Sequence, residues 1–568
     1  QGIFFYIKNI RNKKIWTNTL ASIGSKPDKI NLELAPEMNK IKRQDENIET
    51  ITKIITDTDE PVEIRRLELK NIGNTEEILE ITGFLEPILS VQKQDLAHPA
   101  FNNLFINFEY LDALNTLVVK RKAHTEKEKD VYMAVTLVSE EGGVGEPEFE
   151  IDKEKFVGRC NYNIPNEVKN SIPFSRKLGY TTDPIVAMKQ TVRIEPEKVA
   201  NIDFIISVGY FKEEVIKNLA KFTNNQNIKR TEELLKAKVE AENRYLGVKG
   251  QDIITYQKML SYLLFVPKVS IKRVFNKDHS YETSELWKYG ISGDLPILLV
   301  KIKDINDIDI VKEALNAYEY FRAKNIIIDL VILNEEKESY ENYVKDAVQS
   351  AILNKNIAYL LNISGGIFCL NNIENKQEKR LLEQRANLVI NANCSSLKQY
   401  VEDMEARMLD NVKETGKDVE NIYFNIEKEE QSIQNMDNLK YYNEYGGFSE
   451  DGKEYLITVN KNNKTPTVWS HILANKNFGT LTTEGMGGYT WKTNCRTNRL
   501  TSWSNNQVTD IPSEIIYLKD METNKKWSLG FNPMPDENNY YITYGFGYAK
   551  YNHTSSQIKQ TVEVFVPT

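Results

Sequence analysis

Apolar and polar residues alternate along much of the first 225 residues, and alternation with a period of two predicts β-strands. Clear examples are Val62 to Leu69, Leu104 to Tyr110 and Val131 to Leu137. Many such runs over this length predict a large antiparallel β-sandwich at residues 1–225.

The segment Ala97 to Asn103 interrupts this alternation and is predicted to be a loop. Within it, His98 is expected either to brace the backbone through a hydrogen bond or to contact a ligand. A sugar mutarotase with the same type of sandwich is a further interpretation, and it requires a histidine and a carboxylate on one concave sheet. His98 with Glu109 is the candidate pair.

The pattern changes after Lys212, because apolar residues then recur every three or four positions up to Phe265. This spacing predicts amphipathic helices, and the interleaved Lys and Glu residues are expected to form their solvated faces. We assign residues 226–284 to a helical bridge that packs beside the sandwich or joins it to the next domain.

Residues 285–400 are predicted to form an α/β domain with buried parallel strands. Gly290 to Asp294 precedes the first strand, whereas a phosphate-binding loop follows a strand and opens a helix, so no nucleotide site is expected there. The predicted elements are a strand at Leu295–Ile302, a helix at Ile308–Lys324, a strand at Ile326–Leu333, a helix at Tyr340–Leu353, and short strands at Ala358–Ile363 and Gly366–Leu370.

Residues 401–440 are polar and charged and are predicted to be a helical connector. From Tyr441 the chain returns to a β pattern with glycine-containing turns. Residues 441–568 are therefore assigned to a second β-sandwich.

One segment of this last region, residues 487–520, concentrates aromatic, arginine and amide side chains without a helical period. Aromatic rings stack on the apolar face of a sugar, while guanidinium and amide groups bind its hydroxyls. The segment is therefore a candidate carbohydrate contact, and the alternative is a sandwich hairpin with core tryptophans. The candidate residues are Tyr489, Trp491, Arg496, Arg499, Trp503, Asn505 and Asn506.

The two ends of the chain share a pattern. Phe5 to Trp16 aligns without a gap on Ile516 to Trp527, each copy predicting a strand, a polar turn and a second strand. Ile48 to Ile54 likewise resembles Ile558 to Val564. We therefore expect the later part of one sandwich at the start of the chain and the earlier part of a related one at its end, and we expect the chain to be a fragment of a longer polypeptide.

Composition narrows the class of function. The net charge of −8 over 568 residues argues against nucleic acid as the main partner, since phosphate binding needs a basic surface. Four scattered cysteines without a CxxC pair indicate free thiols in a reducing compartment, and a cytoplasmic location is expected, with anchoring of the parent protein in the inner membrane as the open alternative. The five histidines show no metal-ligand spacing. No apolar run reaches the roughly 20 residues of a membrane span.

Several motifs together resemble those of a known family. The motifs are LWKYGISGDLP at residues 286–296, DLVILNE at 329–335, GGIF at 365–368, HPAFNNLF at 98–105, and GYTW, Asn494, Arg496, NRLT, WSN and Asp510 within 488–510. They resemble cyclic β-1,2-glucan synthases. The last set resembles their sugar-phosphorylase region, glycoside hydrolase family ninety-four.

This resemblance implies an α+β multidomain fold: an antiparallel β-super-sandwich of the galactose-mutarotase type, an α/β domain, and the start of a second super-sandwich. It also implies inverting phosphorolysis, in which an aspartic acid on an (α/α)6 barrel protonates the glycosidic oxygen and inorganic phosphate attacks the anomeric carbon. No metal or organic cofactor is implied. The barrel is expected outside this chain, so no catalytic residue is assigned.

Two functions follow as expectations. The first is the non-catalytic sandwich and α/β portion of a β-1,2-glucan-processing glycosyltransferase or phosphorylase. The second is a carbohydrate-binding or dimerisation scaffold with no role in catalysis. The expected partners are β-1,2-glucan or a related β-glucoside, the barrel of the same parent chain and a second copy in a homodimer. Contact with nucleic acid or membrane is not expected.

Overall fold

The computed structural model describes residues 2–140, 142–161, 164–265, 282–336, 342–371, 373–392, 394, 396–415 and 438–568. The chain forms two compact units, residues 1–235 with 423–568, and residues 236–422. The predicted α+β class with several antiparallel sheets is confirmed. The division into five domains stays a prediction. Residues 266–281 of the predicted bridge and 416–437 of the predicted connector lie outside the described residues.

The predicted N-terminal sandwich is built from two antiparallel sheets. Its strands are β1 Phe4–Asn9, β2 Ile15–Thr17, β3 Lys29–Leu34, β4 Asn39–Asp45, β5 Ile48–Thr56, β6 Val62–Asn71, β7 Glu77–Leu85, β8 Ile106–Leu111, β9 Thr116–Arg121, β10 Val131–Ser139, β11 Gly143–Asp152, β12 Gly179–Tyr180, β13 Pro184–Ile194 and β14 Val199–Gly209. The nine-stranded sheet has the order β12-β8-β9-β10-β14-β6-β5-β4-β3, and the five-stranded sheet the order β11-β13-β7-β1-β2.

The sandwich core lies between the two sheets, because alternate residues of each strand face inward. Phe5 of β1 meets Phe204 of β14 edge to face, with ring centroids 5.5 Å apart. A Cβ atom at Gly83 would lie 2.8 Å from the Phe204 ring, so glycine permits this close approach of the sheets. The alternation seen in the sequence therefore identifies core positions directly.

Helices cover the other face of the nine-stranded sheet. The helices Lys212–Lys221 and Asn225–Leu246 lie in the region where the spacing of apolar residues changes from two to three or four positions. Val215, Leu219 and Phe222 are buried in one apolar cluster with residues of β6, β10 and β14. This placement agrees with a helix packed beside the sandwich.

The prediction of a loop at residues 97–103 is wrong. Two short helices, Gln92–Ala97 and Pro99–Asn103, meet at His98. Proline suits the first turn of a helix because its missing N–H would have no partner there. His98 Nδ1 accepts a hydrogen bond from Phe101 N at 3.1 Å, so the expected bracing role of His98 is confirmed. Lys153–Val157 and Asn166–Asn170 are further short helices, and Asp112–Leu114 is a 3-10 turn.

The second unit contains a parallel sheet of β15 Ile297–Ile302, β16 Asp329–Asn334, β17 Ile367–Asn371 and β18 Leu388–Asn391, in the order β17-β16-β15-β18. Its two faces contribute to two separate apolar cores, so its strands are apolar throughout. The predicted βαβ unit is confirmed. Its helices are Gly250–Leu264, Ile308–Ala323, Tyr343–Asn354, Lys376–Arg385 and Leu397–Thr415, with 3-10 turns at Thr283–Tyr289, Ile305–Asp307 and Ala358–Leu360.

The predicted strand at Ala358–Ile363 is wrong, since a 3-10 turn at Ala358–Leu360 replaces it. Asn356 and Asn362 bracket this turn with left-handed φ angles of 56° and 55°, which an extended strand does not allow. The strand β18 and the helix before it were not predicted.

The C-terminal region of the first unit is again antiparallel. Its strands are β19 Gly446–Phe448, β20 Glu454–Val459, β21 Ser470–Ala474, β22 Phe478–Thr483, β23 Gly488–Lys492, β24 Tyr517–Lys519, β25 Lys526–Ser528, β26 Tyr540–Gly545, β27 Tyr548–Ser555 and β28 Ile558–Phe565. They form sheets of the order β19-β20-β26-β27-β28, β21-β22-β23 and β24-β25.

The pattern shared by the two chain ends is present in the strand registers. We name residues 4–55 repeat one and residues 515–565 repeat two. In the β1–β2 hairpin Ile7 lies opposite Trp16, and in the β24–β25 hairpin Leu518 lies opposite Trp527, as the alignment requires. Both tryptophans are buried. The sequence similarity is therefore a similarity of fold.

The agreement extends through the second part of each repeat. β4 pairs with β5 so that Asp45 lies opposite Ile48, and β27 pairs with β28 so that Ser555 lies opposite Ile558. These four positions correspond in the alignment of Ile48 with Ile558. β3 and β26 occupy the corresponding place beside β4 and β27.

Candidate functional site

Residues 487–520, predicted as a carbohydrate contact, begin as strand β23 and then leave regular structure until β24. An isolated bridge pairs Trp491 with Arg499. Between them, Asn494 Oδ1 accepts hydrogen bonds from the backbone N–H groups of Arg496 at 2.9 Å and Thr497 at 3.0 Å. Asparagine favours such turns because its side chain mimics a backbone acceptor. Part of the polar run therefore shapes its own turn.

Four of the predicted residues form one aromatic stack. The ring of Tyr489 lies 4.6 Å from that of Trp503 at an interplanar angle of 18°, and 5.2 Å from that of Trp491. The guanidinium of Arg499 lies 5.7 Å from the Tyr489 ring and 5.6 Å from the Trp503 ring. Tyr489 is buried. These side chains bind one another, and their contact with a sugar stays a prediction.

Arg496 lies apart from this stack, exposed on the turn. Among the described residues, no hydrogen bond or ion pair holds its guanidinium. The side chain of Arg496 is therefore available to contact a ligand.

Asn505 and Asn506 line a separate pocket of about 350 Å³, which we name the Asn505 pocket. Three segments form it: residues 98–104, Thr182 with Asp183, and residues 504–507. Asn505 adopts a left-handed φ of 48°, a conformation that asparagine tolerates better than most residues. The structure thus brings the HPAFNNLF motif and the WSNN motif to one place.

Side-chain amides fix residues 504–507 against the N-terminal sandwich. Asn506 Nδ2 donates to Asp183 Oδ2 at 2.9 Å, while Asn506 Oδ1 accepts from the backbone N–H of Val508 at 3.0 Å. Gln507 Nε2 donates to Thr182 Oγ1 at 2.5 Å. Asn506 has both ends of its amide occupied, so its role in this structure is to position the pocket wall.

Asp183 is the buried acid of this pocket, with 6% of its surface exposed. Burial raises the pKa of Asp183 to about 6, although the nearby Lys153 ammonium and the Asn506 hydrogen bond lower it. Lys153 Nζ lies 4.0 Å from Asp183 Oδ2 and donates to Glu86 Oε2 at 2.8 Å. A carboxyl group with such a pKa can accept or donate a hydrogen bond near neutral pH.

His98 is one of the residues that line the Asn505 pocket. Because Nδ1 accepts the Phe101 N–H, the neutral ring carries its proton on Nε2. The exposed ring of Phe101 packs edge to face against His98 at 5.9 Å. Glu109, the proposed mutarotase partner of His98, does not line the pocket, and its carboxylate pairs with Lys212 at 2.5 Å.

A buried polar cluster around Glu484 was not predicted. Its Oε1 accepts hydrogen bonds from Arg159 Nη2 and from Thr465 Oγ1, the latter at 2.6 Å, and its Oε2 accepts from Trp469 N at 2.9 Å. Burial raises the pKa of Glu484 to about 7 against the lowering influence of Arg159. Arg159 precedes Glu484 by 325 residues, so no local pattern could reveal the pair.

A second pocket of about 580 Å³ lies in the C-terminal region, and we name it the Trp469 pocket. Its lining includes Phe448, Tyr455, Trp469, Tyr544 and Phe546. Phe546 is 83% exposed. Glu484 reaches this pocket indirectly, because it fixes the backbone of Trp469.

The described residues contain no group of three or more His, Cys, Asp or Glu side chains arranged to hold a metal ion. Within the same residues, no helix has the length and apolar content that crossing a membrane requires.

The chain is similar to curated proteins that act on carbohydrates. It is 24% identical over 533 residues to the cyclic beta-(1,2)-glucan synthase NdvB of Rhizobium meliloti (strain 1021), an alignment covering 92% of this chain and 19% of that protein. It is 32% identical over 126 residues to N,N'-diacetylchitobiose phosphorylase of Vibrio furnissii, covering 22% of this chain and 15% of the enzyme. The chain thus spans about a fifth or less of these relatives.

A 3-O-beta-D-glucopyranosyl-beta-D-glucuronide phosphorylase of Paenibacillus borealis is 28% identical over 125 residues, covering 22% of this chain and 15% of the enzyme. Among solved structures, a bacterial glucoamylase complexed with acarbose covers 45% of this chain and 34% of its own, at 12% identity and a TM-score of 0.31.

The model of the glycosyl hydrolase 94 supersandwich domain matches residues 1–225 and 453–568. These two matches cover more than half of the chain and contain the two repeats, the Asn505 pocket and most of the Trp469 pocket. The predicted resemblance is therefore confirmed, and the chain belongs to the glycosyl hydrolase 94 supersandwich family.

Proposed function

We propose that this chain is the non-catalytic sandwich and α/β portion of a β-1,2-glucan-processing glycosyltransferase or phosphorylase, and that its Asn505 pocket contacts the glucan. The observation that carries the proposal is the meeting of residues 98–104 with residues 504–507 in one pocket. Both segments belong to motifs by which the sequence resembles the family. Inverting phosphorolysis or trimming of the glucan is assigned to a barrel domain outside these 568 residues.

The chemistry of the Asn505 pocket supports contact with a sugar. Asn103, Asn505 and Gln507, which carry amide groups, line the same pocket as the partly exposed ring of Phe101. A pyranose offers hydroxyls at its rim and C–H groups on its faces, which suit amides and an aromatic ring respectively. Asp183 adds a carboxyl group at the same place. We assign these groups to binding and orientation, with no bond made or broken by them.

Binding of a β-1,2-linked gluco-oligosaccharide to the purified chain tests the proposal, measured by saturation-transfer NMR and calorimetry. Asn505→Gly removes the amide while keeping the left-handed backbone. Loss of one hydrogen bond of about 1 kcal/mol is expected to weaken binding about fivefold. Asn524→Gly is the matched control, because Asn524 is exposed at a left-handed φ of 58° outside both pockets.

Unchanged affinity in Asn505→Gly, or the absence of saturable binding to the unmodified chain, would refute sugar contact at the Asn505 pocket. Arg496→Gln provides a second comparison, since the free guanidinium of Arg496 lies outside that pocket. A loss of affinity confined to Arg496→Gln would move the contact to the turn at residues 494–499.

A carbohydrate-binding scaffold without a role in catalysis is the second candidate, and the Trp469 pocket favours it. Aromatic walls with few polar groups are typical of small-molecule sites, and about 580 Å³ is within the usual range of roughly 300–1,000 Å³. Phe546→Ala removes the most exposed ring of this wall. Binding that survives Asn505→Gly and is lost in Phe546→Ala would favour the second candidate.

A further inference from the structure

Repeat one and repeat two differ at one strand edge. In repeat two, β26 is hydrogen-bonded on both sides, to β27 and to β20. In repeat one, the corresponding strand β3 pairs with β4 and is the last strand of its sheet. Among the described strands, none pairs with the outer edge of β3. An open edge leaves a row of backbone donors and acceptors without partners.

The apolar side chains of β3 are also uncovered. Ile30, Leu32 and Leu34 occur at alternate positions, so they share one face of the strand, and they are 43%, 57% and 63% exposed. The corresponding residues of β26 are Tyr540, Ile542 and Tyr544. Tyr540 and Ile542 are only 3% and 1% exposed. The same positions are thus covered in one repeat and bare in the other.

We propose that β3 binds an extended peptide segment that adds to the nine-stranded sheet as an antiparallel strand. The register follows from repeat two, where Tyr455, Ile457 and Val459 lie opposite Tyr544, Ile542 and Tyr540. The partner therefore places apolar residues opposite Leu34, Leu32 and Ile30. This surface lies outside both pockets, and the inference is independent of the proposed glucan contact.

The positions between Ile30, Leu32 and Leu34 determine which residues are favourable on the other face of the partner strand. In repeat two the residues Leu456 and Thr458 lie opposite Thr543 and Tyr541. The corresponding positions of β3 are Glu33 and Asn31. A basic or hydroxyl residue opposite Glu33 therefore fits best, since opposite charges across a strand pair are favourable. The partner is a strand of alternating apolar and polar residues, similar to Glu454–Val459 but with a basic or hydroxyl residue in place of Leu456.

A synthetic peptide with the sequence of residues 446–460 and the substitution Leu456→Lys is a suitable probe, because it contains β19 and β20 and places a basic residue opposite Glu33. Hydrogen exchange of the full chain is followed by mass spectrometry while the peptide is titrated. Saturable protection of residues 29–34 is expected, because strand addition pairs the open backbone groups. No protection is expected at residues 558–565, where β28 is also a terminal strand of its sheet but has a different sequence.

Two variants make the register testable. Leu32→Lys places a charge on the apolar face of β3 and is expected to weaken the peptide at least about tenfold, equivalent to about 1.4 kcal/mol. Asn31→Lys is the matched control, because it puts the same charge on the opposite face of the same exposed strand. Its affinity is expected to stay within about twofold of the unmodified chain. Circular dichroism checks that both variants fold.

Three outcomes would overturn the proposal. The first is no protection of residues 29–34 at millimolar peptide. The second is equal protection of residues 29–34 by a scrambled peptide, or equal protection of β28 by the probe. Either result would mean that the peptide binds exposed strand edges without regard to sequence. The third is protection that appears without peptide and rises with protein concentration, which would assign β3 to contact between copies of this chain.

Discussion

In repeat one the buried cation is Arg43, whereas His553 occupies the corresponding position of repeat two. Arg43 is fully buried and donates to both carboxylate oxygens of Asp45, at 2.6 and 2.9 Å. His553 Nε2 lies 3.1 Å from Asp536 Oδ2, and its ring stacks on Tyr540 at 3.7 Å. The strand register is the same around both. Both repeats therefore bury a side chain with an acidic partner at this position, but the basic group and the position of its acid differ.

The buried tryptophans show the same contrast. Trp527 Nε1 donates to Gln560 Oε1 at 2.9 Å. The counterparts in repeat one are Trp16 and Thr50, and neither the Trp16 indole N–H nor the Thr50 hydroxyl has a hydrogen-bond partner among the described residues. The two repeats thus share the shape and the apolar area of the buried tryptophan, while its hydrogen bonding differs between them. Replacing polar groups in one repeat by those of the other tests this interpretation.

The largest effect is expected from Arg43→Met. It leaves the carboxylate of Asp45, which is 1% exposed, without its cation. Breaking a buried pair in this way typically costs about 3–5 kcal/mol. The free energy of unfolding of the first unit should fall by that amount in urea denaturation. Arg11→Met is the control, since Arg11 is half exposed and forms only a 3.8 Å ion pair.

The double variant Arg43→Met with Asp45→Ser sharpens the comparison. The residue of repeat two that corresponds to Asp45 is Ser555. Replacing Asp45 by serine removes the carboxylate that Arg43→Met leaves without a cation. We expect the double variant to recover more than half of the lost stability. If it is as unstable as Arg43→Met alone, the loss comes from packing of the arginine stem and its bonds to residues 19 and 25.

The second largest effect is expected on the pH dependence of stability, and it concerns Glu484. This buried acid of the C-terminal region pairs with Arg159 of the N-terminal sandwich. Burial raises its folded pKa to about 7, above the ordinary 4.5, so its contribution to stability is present below about pH 4.5. That contribution is lost as the pH rises through 7, and it amounts to about 3 kcal/mol. Glu484→Gln should flatten the pH dependence of the unfolding free energy between pH 4.5 and 8.

Glu522→Gln is the control for this measurement, because Glu522 is exposed. It should leave the pH dependence unchanged. An unmodified chain that becomes more stable as the pH rises over this interval would contradict the assignment and show that the Arg159 ion pair dominates.

A smaller difference is expected between Trp527→Phe and Trp16→Phe. Both leave a cavity, but only the first leaves Gln560 Oε1 without its donor. Trp527→Phe should therefore cost about 1–2 kcal/mol more in urea denaturation. In a Gln560→Thr background, which carries the residue of repeat one and already lacks the Gln560 bond to Leu529 O, adding Trp527→Phe should show no such excess. Equal costs for the two single variants would contradict the role of the hydrogen bond.

The sequence predicted the elements that depend on the spacing of apolar residues over a short segment. Alternation located strands such as β6 and β10, and the pattern shared by the chain ends predicted two similar pairs of strands, whose registers the structure shows to match. The pairs Arg159–Glu484 and Asn506–Asp183 were missed because each joins residues more than 300 positions apart. The stacking of the Tyr489 ring on Trp503 was likewise not predicted, and the sugar contact of Tyr489 stays a prediction. The spacing of apolar residues indicates which positions are buried. It does not indicate which polar groups, distant in sequence, contact each other.

The smallest effect is expected at the turn of the first hairpin. Lys13 and Asn524 correspond in the alignment, and both adopt left-handed φ angles, of 61° and 58°. Asparagine tolerates this conformation better than lysine, so Lys13→Asn should stabilise the chain by about 0.5 kcal/mol and Asn524→Lys should destabilise it equally. Both sites are exposed, so the double exchange should leave the unfolding free energy unchanged. A net change beyond about 0.5 kcal/mol would mean that the turns differ beyond their backbone, which would limit the equivalence of the repeats to their strands.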